Sequence, residues 1–98
     1  MNTQRKAPPL QEIIASYVQY RKVSGLKPLD RSHKAYQLLF HAEQEHGGRF
    51  TPELLGKWWE KRATEQPQSH LARVLGVVPL LRYAAGRWDV PRMPALPE

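Results

Sequence analysis

The sequence contains no cysteine, and this absence excludes several classes of protein at once. Without a thiol there is no disulfide scaffold, no cysteine nucleophile, no iron–sulfur cluster and no cysteine-ligated zinc finger. No apolar run approaches the ~18 residues that a membrane-spanning helix needs. The Gly-rich phosphate loop, the Gly-x-Ser-x-Gly motif and the strand-like alternation of apolar and polar residues are missing as well. We therefore expect a cytoplasmic protein with no membrane partner.

The remaining polar residues do not form a recognisable catalytic or metal-binding pattern. His41 and His46 are separated by five positions and so cannot share one helical face as a metal pair would. Glu43 and Glu45 are two positions apart and point to different sides of a helix. We expect no catalytic residue, no metal, no cofactor and no small-molecule substrate.

The charge balance is the most informative property of the composition. Lysine and arginine total 15 against 9 acidic residues, which gives a net charge of +6 and a pI near 10.0. Residues 1–34 carry seven bases and two acids, residues 35–66 four and five, and residues 67–98 four and two. A small basic domain of this kind is typical of proteins that bind nucleic acid or an anionic surface.

Apolar spacing predicts an all-α fold with helices near 10–24, 31–46, 52–64 and 69–86. Short connections between four helices indicate a compact four-helix bundle, followed by an extended, proline-containing C-terminal strap. Buried side chains are expected at Tyr17, Leu39, Phe40, Leu55, Trp58, Val74 and Leu81. Pro79 lies within the last helix and is expected to kink it. The domain is predicted over residues 10–90, with a flexible segment at 1–9 and a linker at 91–98.

Several helix starts carry residues that cap free backbone N–H groups. Asp30 or Ser32 is expected to cap the second helix and Ser69 the fourth. The third start is the clearest, with Thr51 as the cap and Pro52 in the first helical turn.

The basic residues are expected to form a phosphate-binding side of the bundle. Arg31 and Lys34 lie three positions apart, and Gln37 and His41 continue that row. Arg73 is about 200° around its helix from Leu71, which is taken as inward-facing, so Arg73 is expected to point away from the core. Free N–H groups at two helix starts favour phosphate, and nearby cations add to that preference.

The order of several short motifs resembles the core-binding domain of tyrosine recombinases, the phage-type integrases. Tyr17–Leu26 matches an opening helix of the form Tyr-x-x-Tyr-Arg-x-x-x-Gly, and Phe50–Trp58 matches a Thr-Pro-Glu-Leu helix start that ends in Trp. Val77–Tyr83 corresponds to the last helix, which ends in Arg-Tyr. Val90-Pro91 and Leu96-Pro97 resemble the strap that leads into the catalytic domain.

The resemblance implies a SAM-like helical bundle that clamps one face of duplex DNA at a recombination site. In the family, a separate C-terminal domain does the chemistry, with a tyrosine nucleophile and an activating arginine–lysine–histidine set. That domain is not in this chain, so the chain is expected to be non-catalytic and to meet other recombinase protomers on DNA through the full-length protein. Contacts with double-stranded DNA are expected from Lys22, Lys27, Arg31, Ser32, His33, Lys34, Ser69, His70 and Arg73.

Two other interpretations compete with this one. His70-Leu71-Ala72-Arg73 has the His-x-x-Arg spelling of the family's catalytic box, but by position it aligns with the start of the last core-binding helix, and we interpret the match as chance. The alternative function is a small helical protein–protein interaction module that uses the helix carrying Trp58 and Trp59.

Overall fold

The computed structural model describes residues 5–97. Parts of the expected flexible segment and linker, residues 1–4 and 98, lie outside the described residues. The described chain is mostly helical, with five helices, α1 to α5, and one pair of two-residue strands, β1 and β2. None of the helices in residues 5–97 has the length and apolar character needed to cross a membrane.

Helix α1 (Leu10–Val23) forms where the apolar spacing predicts it. Leu10, Ile13, Ile14 and Tyr17 are buried along one face. The helix ends in a Schellman motif, in which the N–H of Leu26 donates to the carbonyl of Arg21 and that of Gly25 to Lys22. Gly25 has a φ of 74°, a left-handed conformation that favours glycine.

Helix α2 (Lys34–Glu45) and helix α3 (Pro52–Trp59) follow. The predicted cap of α3 is confirmed, since the Thr51 hydroxyl accepts a 3.0 Å hydrogen bond from the N–H of Leu54. The predicted cap of α2 is wrong. Its N-cap is His33, whose Nδ1 accepts from the N–H of Ala35 at 3.1 Å, while Asp30 accepts hydrogen bonds from Ser32.

The region expected to form one helix over 69–86 contains two, α4 (Pro67–Leu75) and α5 (Val78–Ala85). Pro79 occupies the second position of α5, where its missing N–H would have had no partner within the helix. The proline therefore begins a new helix instead of kinking an existing one. Ser69 is the third residue of α4 and not its cap, which is Gln66.

The start of the described chain pairs with the segment after α5 in two short parallel strands, β1 (Arg5–Lys6) and β2 (Trp88–Asp89). Residues 5–9, expected to be flexible, thus contain a strand that is paired with the chain beyond α5. The strap also contacts the body, because the indole N–H of Trp59 donates to the carbonyl of Ala95 at 2.9 Å.

The core combines side chains from α1, α2, α3 and α5. Of the seven predicted core residues, five are buried, namely Tyr17, Leu55, Trp58, Val74 and Leu81. Leu39 is half-buried, and the prediction for Phe40 is wrong, since 58% of that residue is exposed. Ala35, Leu38 and Ala42 are completely buried and set the rotation of α2 instead.

Candidate nucleic-acid interface

A groove of ≈ 290 Å³ lies along the outer side of α2. Its lining consists of Arg31, Tyr36, Gln37, Phe40, His41 and Arg62. We call this surface the α2 groove. It includes two arginines and no aspartate or glutamate, so its electrostatic character is cationic.

The rotation of α2 explains why these residues share one surface. Phe40 follows buried Leu38 by two positions, which is about 200° around a helix. Tyr36 precedes Leu38 by the same interval, and Gln37 and His41 lie on the flanks. On the opposite, buried face of α2, Ala35 and Ala42 carry small side chains that let the helix approach the core closely. The bulky Phe40 side chain lies on the outer face.

The two arginines of the α2 groove have no carboxylate partner. Within residues 5–97 the ion pairs join Lys57 to Glu45 and Arg73 to Glu65. The side chains of Arg31 and Arg62 are in neither pair, and both residues are exposed. Their charge is therefore available to an anionic ligand.

The loop that leads into α2 adds further cations. Lys27 and Ser32 in this loop are exposed, as is Lys22 in the last turn of α1. Arg21 orders this loop, because its guanidinium donates to the carbonyl of Lys27 at 3.0 and 2.8 Å. Of the predicted row of Arg31, Lys34, Gln37 and His41, the α2 groove contains all except Lys34.

Lys34 and His33 are less accessible than expected. Both residues are half-buried, and an added Cβ at Gly76 would come within 2.6 Å of the Lys34 Cγ, which shows how closely the lysine stem packs there. Burial and the nearby Arg21 guanidinium lower the pKa of His33. His33 is therefore committed to capping α2.

The expectation that Arg73 faces away from the core is wrong. Arg73 is only 3% exposed and its guanidinium binds both carboxylate oxygens of Glu65 at 2.8 Å. It also donates to the main-chain carbonyls of Trp58 and Glu60. This pair with Arg73 lowers the pKa of Glu65 to about 2. We call this arrangement the Arg73 cluster.

The Arg73 cluster and the contacts around it hold the loop between α3 and α4 in place. The indole N–H of Trp58 donates to the carbonyl of Arg73 at 3.0 Å, and the guanidinium lies 5.2 Å from the indole ring centre. The imidazole Nε2 of His70 bonds with the carbonyl of Trp59 at 2.7 Å. Of the predicted α4 contacts, only Ser69 is exposed.

The tryptophans of α3 are also used internally, which weakens the alternative that they form an adaptor surface. Trp58 is 3% exposed, and Trp59 is half-buried and bonded to the strap.

A second groove of ≈ 260 Å³ lies on the other side of His41 and Arg62. Glu45, Glu60 and Lys57 line it, so it carries both signs of charge. No group of three or more histidine, aspartate or glutamate residues within 5–97 could hold a metal ion. Because its lining contains no carboxylate, the α2 groove is a stronger candidate for an anion-binding surface than the second groove.

Sequence reasoning missed Arg62 and Phe40 as members of this surface. Arg62 lies in the polar loop after α3, and no local pattern indicates that this loop returns to α2. Apolar spacing with Tyr36 and Leu39 places Phe40 in the core, on a face of α2 that is not the buried one. The three other members that lie on α2, namely Tyr36, Gln37 and His41, follow from helical spacing once the buried face is known.

Comparisons of the chain with protein-family models, with curated proteins and with solved structures found no match.

Proposed function

We propose that this chain is a DNA-binding domain of the core-binding type found in tyrosine recombinases, a SAM-like bundle that clamps one face of duplex DNA. The observation that carries the proposal is the α2 groove, in which two unpaired arginines lie together without a carboxylate. The net charge of +6 supports it, as does the order of the motifs along the chain. In this proposal the domain is non-catalytic alone and works in the cytoplasm with other recombinase protomers.

Phosphate contacts in this proposal come from the α2 groove and the loop before it. Arg31 and Arg62 supply fork-shaped guanidinium donors, and Lys22, Lys27 and Ser32 extend the surface. Arg73 is withdrawn from the DNA contacts, because its donors are already bonded to Glu65 and to main-chain carbonyls.

The test is a fluorescence anisotropy titration of labelled duplex DNA at salt concentrations between about 50 and 200 mM. We expect weak, mainly non-specific binding with a Kd of ~10⁻⁴–10⁻⁶ M. Arg31→Ala and Arg62→Ala should each weaken binding and lower the slope of log K against log salt by about one unit.

Lys57→Ala and Lys61→Ala are the matched controls, since both remove an exposed cation near acidic residues. They should change DNA affinity little. Absence of duplex binding at low salt, or a larger loss in the lysine variants than in the arginine variants, contradicts the proposal.

The alternative, a protein–protein interaction module, keeps support from one observation. Leu71 and Leu75 lie one turn apart on α4 and are 37% and 43% exposed. Such a module would bind its partner through apolar contact, and its affinity would depend only weakly on salt. The salt titration separates the two functions.

A further inference from the structure

Phe40 lies in the α2 groove in a position that core packing does not explain. The residue is 58% exposed in the middle of a helix, beside two aromatic neighbours and two unpaired arginines. Scattered single apolar residues on a surface are ordinary. An aromatic surface within a cationic groove is a more specific combination.

The ring of Phe40 is supported from one side. The His41 imidazole meets it edge-on, with ring centres 5.8 Å apart and an interplanar angle of 76°. His41 in turn meets the buried indole of Trp58 at 6.0 Å and 63°. The Phe40 ring therefore lies against an anchored neighbour while more than half of the residue remains open to a ligand.

We infer that the α2 groove binds an unpaired DNA base, which stacks on Phe40 while Arg31 and Arg62 bind the flanking phosphates. This inference rests on the proposed DNA-binding function and specifies the form of DNA that the groove prefers. The amide of Gln37 lies in the same lining and can both donate to and accept from a base edge.

The chemistry of the groove favours an unpaired base over a paired one. Bases within a duplex are stacked on one another and present only their edges in the grooves. An unpaired base has a free aromatic face, and stacking on an aromatic side chain is the usual way that proteins bind it. A volume of ≈ 290 Å³ suits one small planar group, because it lies just below the ~300–1,000 Å³ range of ligand pockets.

Two labelled DNA hairpins test the inference, one with a fully paired stem and one with a single unpaired thymine in the stem. In anisotropy titrations the native protein should bind the bulged hairpin about tenfold more tightly, the effect of one base–aromatic stack. Phe40→Leu should lose that preference, since leucine retains apolar bulk without an aromatic face.

Tyr20→Leu is the matched control, because Tyr20 is another exposed aromatic residue and lies outside the groove lining. It should keep the preference. Equal affinity of the native protein for both hairpins, or an unchanged preference in Phe40→Leu, overturns the inference and leaves duplex binding intact. Binding of neither hairpin overturns both this inference and the proposed function.

Discussion

The guanidinium of Arg73 carries the same charge as those of Arg31 and Arg62, yet the surroundings are opposite. In the Arg73 cluster the guanidinium meets a carboxylate and two main-chain carbonyls in a nearly closed site. In the α2 groove the arginines are exposed and no carboxylate lines the surface. The first arrangement stabilises a loop, and the second leaves charge free for a ligand.

The difference shows what decides the role of an arginine in a small domain. Burying a charge is costly unless a partner and further hydrogen bonds compensate for it, and Arg73 has both. An exposed arginine whose side chain is in no ion pair contributes little to folding. Its contribution is to long-range attraction of anions, which salt screens.

Removing Arg73 should give the largest effect on stability. In Arg73→Met the apolar stem is kept, while Glu65 and two carbonyls lose their donor. We expect a loss of about 3 kcal/mol in the free energy of unfolding, measured by urea denaturation.

Arg31→Met and Arg62→Met are the matched variants on the other side of the comparison. Their free energies of unfolding should stay within about 0.5 kcal/mol of the native value, because they remove exposed, unpaired charges. Similar losses in all three variants would show that the two settings do not differ as described.

A smaller effect is expected where α2 meets the turn between α4 and α5. In Gly76→Ala the new Cβ would lie 2.6 and 3.0 Å from the Lys34 Cγ and Cβ. These atoms are near the backbone of α2 and cannot move away freely, so overpacking should cost about 1–3 kcal/mol.

Gly56→Ala is the control for that substitution, since nothing lies within 4 Å of its added Cβ. Within a helix, the change from glycine to alanine should stabilise by about 0.5–1 kcal/mol. In urea denaturation the free energy of unfolding should fall in Gly76→Ala and rise in Gly56→Ala. An unchanged free energy of unfolding in Gly76→Ala would show that α2 can shift without cost.

The parts of the fold that the sequence predicts are those with strong local signals. The α1 stripe and the Thr51 cap depend on residues within a few positions of one another, and both are confirmed. The division of the last segment into α4 and α5 is not evident from the sequence, because Pro79 is compatible both with a helix start and with a kink inside one helix. Gly76 ends α4 beside Lys34 of α2, a neighbour that no local pattern indicates.

The site was harder to predict because its members come from distant segments. Helical spacing places Arg73 on the outer side only if Leu71 is buried, but Leu71 is exposed, and the residue about 200° from it therefore faces inward, where it meets Glu65. Arg62 joins Arg31 in one groove although 31 positions separate them. Alanine carries little weight in an apolar pattern, so the face of α2 with Ala35 and Ala42 was overlooked in favour of Phe40.

The smallest expected effect concerns pH and the cap of α2. The Nδ1 of His33 accepts a hydrogen bond from the N–H of Ala35, and a protonated imidazole cannot accept it. Burial and then the Arg21 charge lower the pKa of His33 in the folded protein, against the opposing influence of Asp30. A histidine whose pKa is lower in the folded than in the unfolded state binds more protons when unfolded. Its contribution to stability is therefore complete above the unfolded value of about 6.5 and is lost as the pH falls through the folded value.

His33→Asn tests this contribution, because asparagine caps a helix as well as any residue and does not titrate in this range. Urea denaturation at pH 7.5 and 5.0 should show that the native protein loses more stability over this interval than the variant does. At pH 7.5 the two proteins should be nearly equally stable, which separates loss of the cap from its protonation. Equal losses in the two proteins would mean that the pKa of His33 is the same in the folded and unfolded states, so that the cap of α2 contributes no pH dependence to stability.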